Sequence, residues 1–454
     1  MAKVRTIYVC QECGHKTTRW MGQCPSCHQW NTLEETLEEP VNKSATNHPA
    51  RMTGMPDVAP ISLSEIPVDK AVRSKTGISE LDRVLGGGFM PGSFVLLGGD
   101  PGVGKSTLTL QIARSRPDLN ILYCSGEESA AQIRQRAARL NLQDGNMKVF
   151  TDTDLNRVID AAQKIKPDLL VIDSIQTVYR PEIPNMPGSI TQIRECASRL
   201  MRLAKQQPCT TLAIGHINKD GELAGPRVLE HMVDAVLQFE GDRNYSYRIL
   251  RSQKNRFGSV NEIGVFEMSD SGLLEVSNPS QLFLADFDNQ VSGNAVVCTV
   301  EGSRPLLLEV QALITPSTYQ APQRTTSSLD HRRLSLLLAV LEKRSGFHFA
   351  NQDVFLNAAG GMRLSETACD AGIIAALISA VVDKPLKSNV AFIGEVGLGA
   401  EVRAVSHIDQ RIREIKKMGF ESVYIPMANH YKRDVKGLKI EEVKTIGDLL
   451  RKLF

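Results

Sequence analysis

At 454 residues the chain is long enough for two or three domains, and 42% hydrophobic with 23% charged residues excludes a disordered or collagen-like protein. The longest uncharged apolar stretch, Ala371–Val382, spans 12 residues and falls short of the roughly 20 that cross a bilayer, and Met1–Arg5 lacks the apolar core of a signal peptide. Lys+Arg 53 against Asp+Glu 51 leaves a formal charge of +2, so nucleic-acid contact has to come from local basic patches. A cytoplasmic protein without membrane partners is expected.

The first predicted element is a cysteine head over residues 1–32. Cys10-Gln11-Glu12-Cys13 and Cys24-Pro25-Ser26-Cys27 are two C-x-x-C pairs ten residues apart. Each pair wraps a tight turn, and four thiolates in tetrahedral reach suit a structural Zn²⁺ with no open coordination position. A redox dithiol would follow a strand in a thioredoxin-like unit, which this head lacks. His15 and His28 flank the cysteines as substitute ligands or as surface residues. The other five cysteines (Cys124, Cys196, Cys209, Cys298, Cys369) are isolated and read as buried thiols of a reducing compartment. From Glu34 to Pro60, acidic residues and four prolines without apolar periodicity predict a flexible linker, residues 33–60.

Residues 61–277 alternate short apolar runs (Ser93–Gly98, Ile121–Ser125, Leu169–Asp173, Thr211–His216) with segments of helical spacing (Lys105–Ser115, Ala130–Leu140, Leu155–Lys166, Ile190–Gln206). That pattern predicts an α/β fold, a mostly parallel sheet with helices on both faces. Gly99-Asp100-Pro101-Gly102-Val103-Gly104-Lys105-Ser106 matches the phosphate-loop pattern G-x-x-x-x-G-K-[ST] between a strand and a helix. Its glycines let backbone N–H groups surround phosphates at a helix N-terminus. Lys105 is expected on the terminal phosphates of ATP, with Ser106 on Mg²⁺. Asp173, at the end of the next apolar strand, is the expected second Mg²⁺ anchor. Gly126-Glu127-Glu128 ends another strand; one carboxylate there is expected to orient the attacking water, Glu127 in preference to Glu128.

Thr76-Gly77-Ile78-Ser79-Glu80-Leu81-Asp82, Leu85-Gly86-Gly87-Gly88 and the phosphate loop together resemble the entry to RecA-like ATPase cores. Lys254-Asn255-Arg256-Phe257-Gly258 matches the K-N-R-F-G signature of the bacterial RadA (Sms) family, and the cysteine head and C-terminal region complete that family's layout over essentially the whole chain. The resemblance implies a RecA-like core that binds ATP, Thr107 included in its contacts, with Lys254 and Arg256 reaching a neighbouring subunit's nucleotide in a ring, a hexamer by family layout. A phosphate-backbone contact to DNA is the rival role for that pair. Pro181–Ser189 and Lys219–Arg227 would face the channel, Lys219 and Arg227 touching phosphates. His216 and Asn218 are placed to sense the terminal phosphate. Arg243, Arg248 and Arg251 extend the basic region.

Residues 278–454 restart an α/β pattern, with helices at Arg332–Lys343, Ala371–Val382 and Asp409–Met418 and strands at Val354–Ala358, Ala391–Ile393 and Ser422–Pro426. Gly394-Glu395-Val396-Gly397-Leu398 and its surroundings resemble the Lon proteolytic domain. The serine of that family's Ser–Lys pair aligns with Asp370 and the lysine with Asp409, so no nucleophile is expected; Ser365 and Ser406 have no evident base. Arg411–Lys417 and Lys432–Lys439 are candidate DNA-contacting stretches. The resemblance implies a DNA-dependent ATPase of homologous recombination and repair. It would act by branch migration on single-stranded and branched DNA beside the RecA recombinase, in the bacterial nucleoid. The alternative is an ATP-driven switch acting on protein partners.

Overall fold

The computed structural model describes residues 5–10, 16–26, 29, 30, 32–38, 62, 72–142, 147–216, 227–241, 247–284, 290–318 and 321–454. The chain divides into two compact units. One is Met1–Glu240 with Leu250–Val260 and Met268–Leu273; the other is Gly241–Ile249, Asn261–Glu267 and Leu274–Phe454.

At the N-terminus β1 (Arg5–Cys10) pairs antiparallel with β2 (Lys16–Thr17) and with β3 (Leu33–Glu38), Cys10 facing Leu33. The linker expected from residue 33 is therefore corrected at its start. Leu33 is buried in one cluster with Cys10 and Cys24. The acidic composition of residues 34–38 hid the strand. The rest of the linker lies outside the described residues.

The ATPase-type region runs α1 (Ser79–Leu85), β4 (Phe94–Gly99), α2 (Lys105–Ser115), β5 (Ile121–Ser125), α3 (Ala130–Arg139), β6 (Met147–Phe150), α4 (Leu155–Ile165), β7 (Leu169–Asp173), α5 (Ile190–Gln206), β8 (Thr210–Ile214), α6 (Arg227–Met232), β9 (Ala235–Glu240), β10 (Tyr247–Asn255), β11 (Ile263–Ser269) and β12 (Gly272–Glu275). The sheet order is β12-β11-β10-β9-β4-β8-β7-β5-β6, and the six strands from β9 to β6 are parallel. Strands β4, β5, β7 and β8 are buried along their full length, as central parallel strands covered on both faces must be. Ser129, Asp154 and Ser189 cap α3, α4 and α5 through side-chain oxygens, which fixes where those helices start.

The second unit continues α7 (Pro279–Phe283), β13 (Asn294–Glu301), β14 (Arg304–Pro316), β15 (Arg324–Thr326), α8 (His331–Ser345), β16 (Gln352–Ala358), α9 (Asp370–Val382), β17 (Val390–Phe392), β18 (Glu395–Val396), β19 (Val402–Arg403), α10 (Ile408–Lys417), β20 (Ser422–Pro426), β21 (Lys439–Val443) and α11 (Ile446–Leu453). Its seven-stranded sheet has the order β15-β16-β14-β13-β17-β20-β21. Alternate residues of β13 serve two cores. Ala295 and Val297 join the cluster that packs α8 and α9, whereas Val296 and Cys298 join the one that packs α10.

Arg411 corrects another expectation. It is wholly buried, not a DNA-facing cation: Nη1 donates to Cys298 O at 2.5 Å, Nε to Ser406 O at 3.0 Å, and Nη2 pairs with Glu366. Glu366 also accepts from Val300 N at 2.8 Å and Thr299 Oγ1 at 3.1 Å. Removing one partner strands a buried charge. Arg411→Ala is expected to destabilise this unit by about 3 kcal/mol. In the full chain, amide exchange in α9 and β13 should speed up on the order of 100-fold; unchanged protection would contradict this role.

Candidate nucleotide-hydrolysis site

The phosphate loop leaves the fully buried β4 and enters α2 at Lys105. Gly99 and Gly104 have φ of +151° and +118°, and a Cβ on Gly99 would stand 2.5 Å from Phe239 O on the neighbouring β9. Side chains are barred there by both backbone geometry and space. The N-cap of α2 is Gly104, with no side-chain cap, so the first helical N–H groups are left for an anion. Lys105 is 4% exposed. Its Nζ donates to Gly99 O at 2.7 Å, Asp100 O at 2.9 Å and His216 Nδ1 at 3.4 Å. Burial pushes its pKa down, against the raising influence of Asp173, Asp100 and Glu127.

Asp173 ends β7 in register with Ser125 of β5. Its Oδ2 accepts from Ser106 Oγ at 2.9 Å and from the Tyr123 hydroxyl. Tyr123 is buried, and burial first, then the Asp173 charge, hold its phenol protonated far above the usual range. A hydroxyl and a carboxylate oxygen this close, beside the lysine that would meet the phosphates, form the hard-oxygen set a Mg²⁺ ion takes together with substrate oxygens. When bound, that ion would neutralise charge on the phosphates.

Glu127 follows β5. Its Oε1 accepts from Ser174 Oγ at 2.6 Å and His216 Nε2 at 3.3 Å, and Oε2 has no partner among the described residues. Glu128 is turned away and paired with Arg136 of α3 at 2.5 Å. Gly126 makes the crossing possible, since a Cβ there would lie 2.2 Å from Thr177 Oγ1 in the turn after β7. The fold thus gathers Lys105, Ser106, Asp173, Glu127 and His216 at the carboxyl ends of β4, β5, β7 and β8. Asp100, Pro101 and Gly102 are exposed beside them, Gly104 and Thr107 are half-buried, and Val103 is buried.

Lys254 and Arg256 lie elsewhere. Lys254 Nζ donates to Glu230 O at 2.7 Å and His231 O at 3.2 Å; burial, then the neighbouring Arg256, lowers its pKa. Arg256 Nη1 pairs with the buried Asp234 at 3.4 Å, which Lys205 also meets at 3.0 Å. Among the described residues neither side chain touches the phosphate loop. Residues 219–226, Asn218 and Arg243 lie outside the described residues, as does the side chain of Arg227. Arg248 is buried, and Arg251 pairs with Glu240 at 3.5 Å. The Pro181–Ser189 loop is anchored by Gln192, whose amide donates to Arg180 O, Ile183 O and Asn185 O at 2.9–3.1 Å.

In the cysteine head, Cys10 ends β1 and Cys24 sits in a turn closed by Cys24 N donating to Gln29 O at 2.9 Å. Both thiols are buried beneath Leu33 and Tyr8, a soft-donor pair suited to zinc. Cys13, Cys27, His15 and His28 lie outside the described residues.

In the second unit the buried Asp370 carboxylate, at the start of α9, is bound by the Arg333 guanidinium, with Nε at 3.0 Å, and by Val396 N at 3.0 Å. Burial pushes its pKa up, and the Arg333 and Val396 hydrogen bonds oppose that. Asp409 pairs instead with Arg433 at 2.8 Å. Asp370 borders a cavity of about 560 Å³ whose lining includes Ser327, Ser328, Ser365 and His331 and, among the described residues, no lysine. Ser327 and Ser328 both donate to Asn357 Oδ1, at 2.5 and 2.9 Å.

Comparison with known proteins gives three matches in chain order: the rubredoxin metal binding domain at residues 8–35, the AAA domain at 62–222 and the Lon protease (S16) C-terminal proteolytic domain at 345–454. A KaiC-like protein from Pyrococcus horikoshii aligns with 45% of this chain and 99% of its own, at 22% identity and a TM-score of 0.38. DNA repair protein RadA of Listeria monocytogenes is 47% identical over 99% of this chain and 98% of its own. That of Halalkalibacterium halodurans is 48% identical over 94% of each, and that of Bacillus subtilis 44% over 99% of each. The chain belongs to the RadA family of DNA repair proteins. An ATPase domain lies between a zinc ribbon and a Lon-type domain. No helix among the described residues is long and apolar enough to cross a membrane.

Tyr123, Ser174 and Arg333 are contacts that sequence reasoning left unassigned. Tyr123 carries no motif signal. Ser174 directly follows the Asp173 carboxylate and could have been found by position.

Two substitutions separate the adjacent carboxylates. Glu127→Gln is expected to lower kcat for ATP on the order of 100-fold with ATP affinity nearly unchanged, whereas Glu128→Gln should change kcat by less than about threefold, because its carboxylate serves Arg136. Phosphate release and equilibrium ATP binding read both; the reverse order would contradict the assignment.

Proposed function

We propose that this RadA-family chain is a DNA-dependent ATPase whose copies form a ring, a hexamer in our reading, and drive branch migration during homologous recombination. The observation that carries this reading is the split of charged groups. Lys105, Ser106, Asp173 and Glu127 gather at one site, while Lys254 and Arg256 make no contact with it. Phosphoryl transfer needs added positive charge as the terminal phosphate leaves. A second copy supplying Lys254 and Arg256 meets that need and ties hydrolysis to movement between subunits. Exposed cations at Arg413, Lys432 and Lys436 offer phosphate-backbone contacts, and the zinc head would add a rigid module. DNA, single-stranded or branched, and the RecA recombinase are the partners this reading names, in the bacterial cytoplasm.

The Lon-type domain acts here as a scaffold, not as a protease. Asp370 is consumed by Arg333 and Val396 N. Among the described residues no lysine lines the adjoining cavity, so none supplies a serine there with an amine base.

The test mixes two impaired proteins. Lys254→Ala and Glu127→Gln should each lose most DNA-stimulated ATP hydrolysis. Together they should recover a measurable part of it, because one subunit supplies the cation and the next the carboxylate. Failure to recover activity contradicts the shared site. Hydrolysis indifferent to single-stranded DNA at every salt concentration would favour a switch acting on protein partners.

A further inference from the structure

An ammonium carries three N–H donors and no lone pair. Lys105 points its donors at Gly99 O, Asp100 O and His216 Nδ1; a bound triphosphate would draw on the first two. His216 Nδ1 must therefore accept, which places the ring proton on Nε2. That nitrogen stands 3.3 Å from Glu127 Oε1 and donates to it. The lysine thereby selects the imidazole tautomer, and the tautomer supplies a donor to the carboxylate. The backbone that carries the ring is held: Gly215 N donates to Leu97 O at 2.9 Å just beyond β8, and Gln176 Nε2 donates to His216 O at 3.4 Å.

Glu127 Oε1 receives both of its hydrogen bonds, from Ser174 Oγ and from His216 Nε2. Among the described residues Oε2 has no partner and can accept from a water. Two donors on one oxygen fix the plane of the carboxylate and so the direction in which the other oxygen points. The two donors come from different strand ends: Ser174 follows β7 and His216 follows β8.

We infer that His216 is a positioning residue that aims Glu127, with its own orientation set by Lys105. The inference rests on reading Glu127 as the group that orients the attacking water. Glutamine can imitate the arrangement, since its amide oxygen accepts from an ammonium while its N–H donates to a carboxylate; alanine can do neither.

The experiment measures single-turnover phosphate release and equilibrium ATP binding on the full chain for wild type, His216→Ala and His216→Gln. Each histidine variant is also combined with Glu127→Gln. His216→Ala is expected to bind ATP within about threefold of wild type and to lose about 10- to 100-fold in rate. His216→Gln should recover to within about fivefold of wild type. In the Glu127→Gln background, adding His216→Ala should cost no more than about twofold, since the histidine acts through that carboxylate. Losses that multiply, a glutamine variant as slow as alanine, or a loss explained by weakened binding would each overturn the inference. A Glu127→Gln protein as fast as wild type would overturn the underlying assignment, and it is recognised without any histidine variant.

Discussion

A buried ammonium must have acceptors, and at Lys105 they come from the loop behind it and from the end of a neighbouring strand. The site's architecture can be read outward from that requirement. Strand β4 is fully buried between β8 and β9, which carries the lysine inside. Strand β8 leads into His216, β7 ends at Asp173 in register with Ser125 of β5, and Glu127 follows two residues beyond. Tyr123, one pleat behind the end of β5, holds the Asp173 oxygen that also meets Ser106. Four strands thus converge on one cationic group, and its carboxylate neighbours offset part of the cost of burying it.

The Lon-type domain handles buried charge the same way but to a different end. Arg333–Asp370 and Arg411–Glu366 are pairs in which each carboxylate also receives backbone N–H donors. Such groups are satisfied and fixed. Among the described residues Glu127 keeps Oε2 without a partner, whereas both oxygens of Asp370 are engaged.

Sequence made the local features legible. The phosphate loop, its flanking strand and helix, and the Asp173 strand tip are contiguous patterns, and the parallel strands advertised themselves as continuous apolar runs. What it left open depended on distant partners. Glu127 and Glu128 are equivalent in sequence; only Arg136, a turn into α3, shows which one faces away. Arg411 reads as one of several cations on an amphipathic helix, and its burial follows from Glu366, which lies 45 positions earlier. The hairpin β13–β14 went unread although Gly302-Ser303 between two apolar runs is a hairpin signal. The strand β3 was obscured by its acidic composition.

If Ser106 and Asp173 hold Mg²⁺ against a triphosphate gripped by Lys105, the metal must tighten nucleotide binding. The most direct measurement is equilibrium binding of a non-hydrolysable ATP analogue to the full chain, with Mg²⁺ or with EDTA, for wild type and Asp173→Asn. Wild type is expected to bind at least about tenfold more tightly with Mg²⁺, and the variant to lose most of that gain. Equal affinity with and without the metal in wild type, or a metal-dependent gain preserved in Asp173→Asn, would contradict these roles.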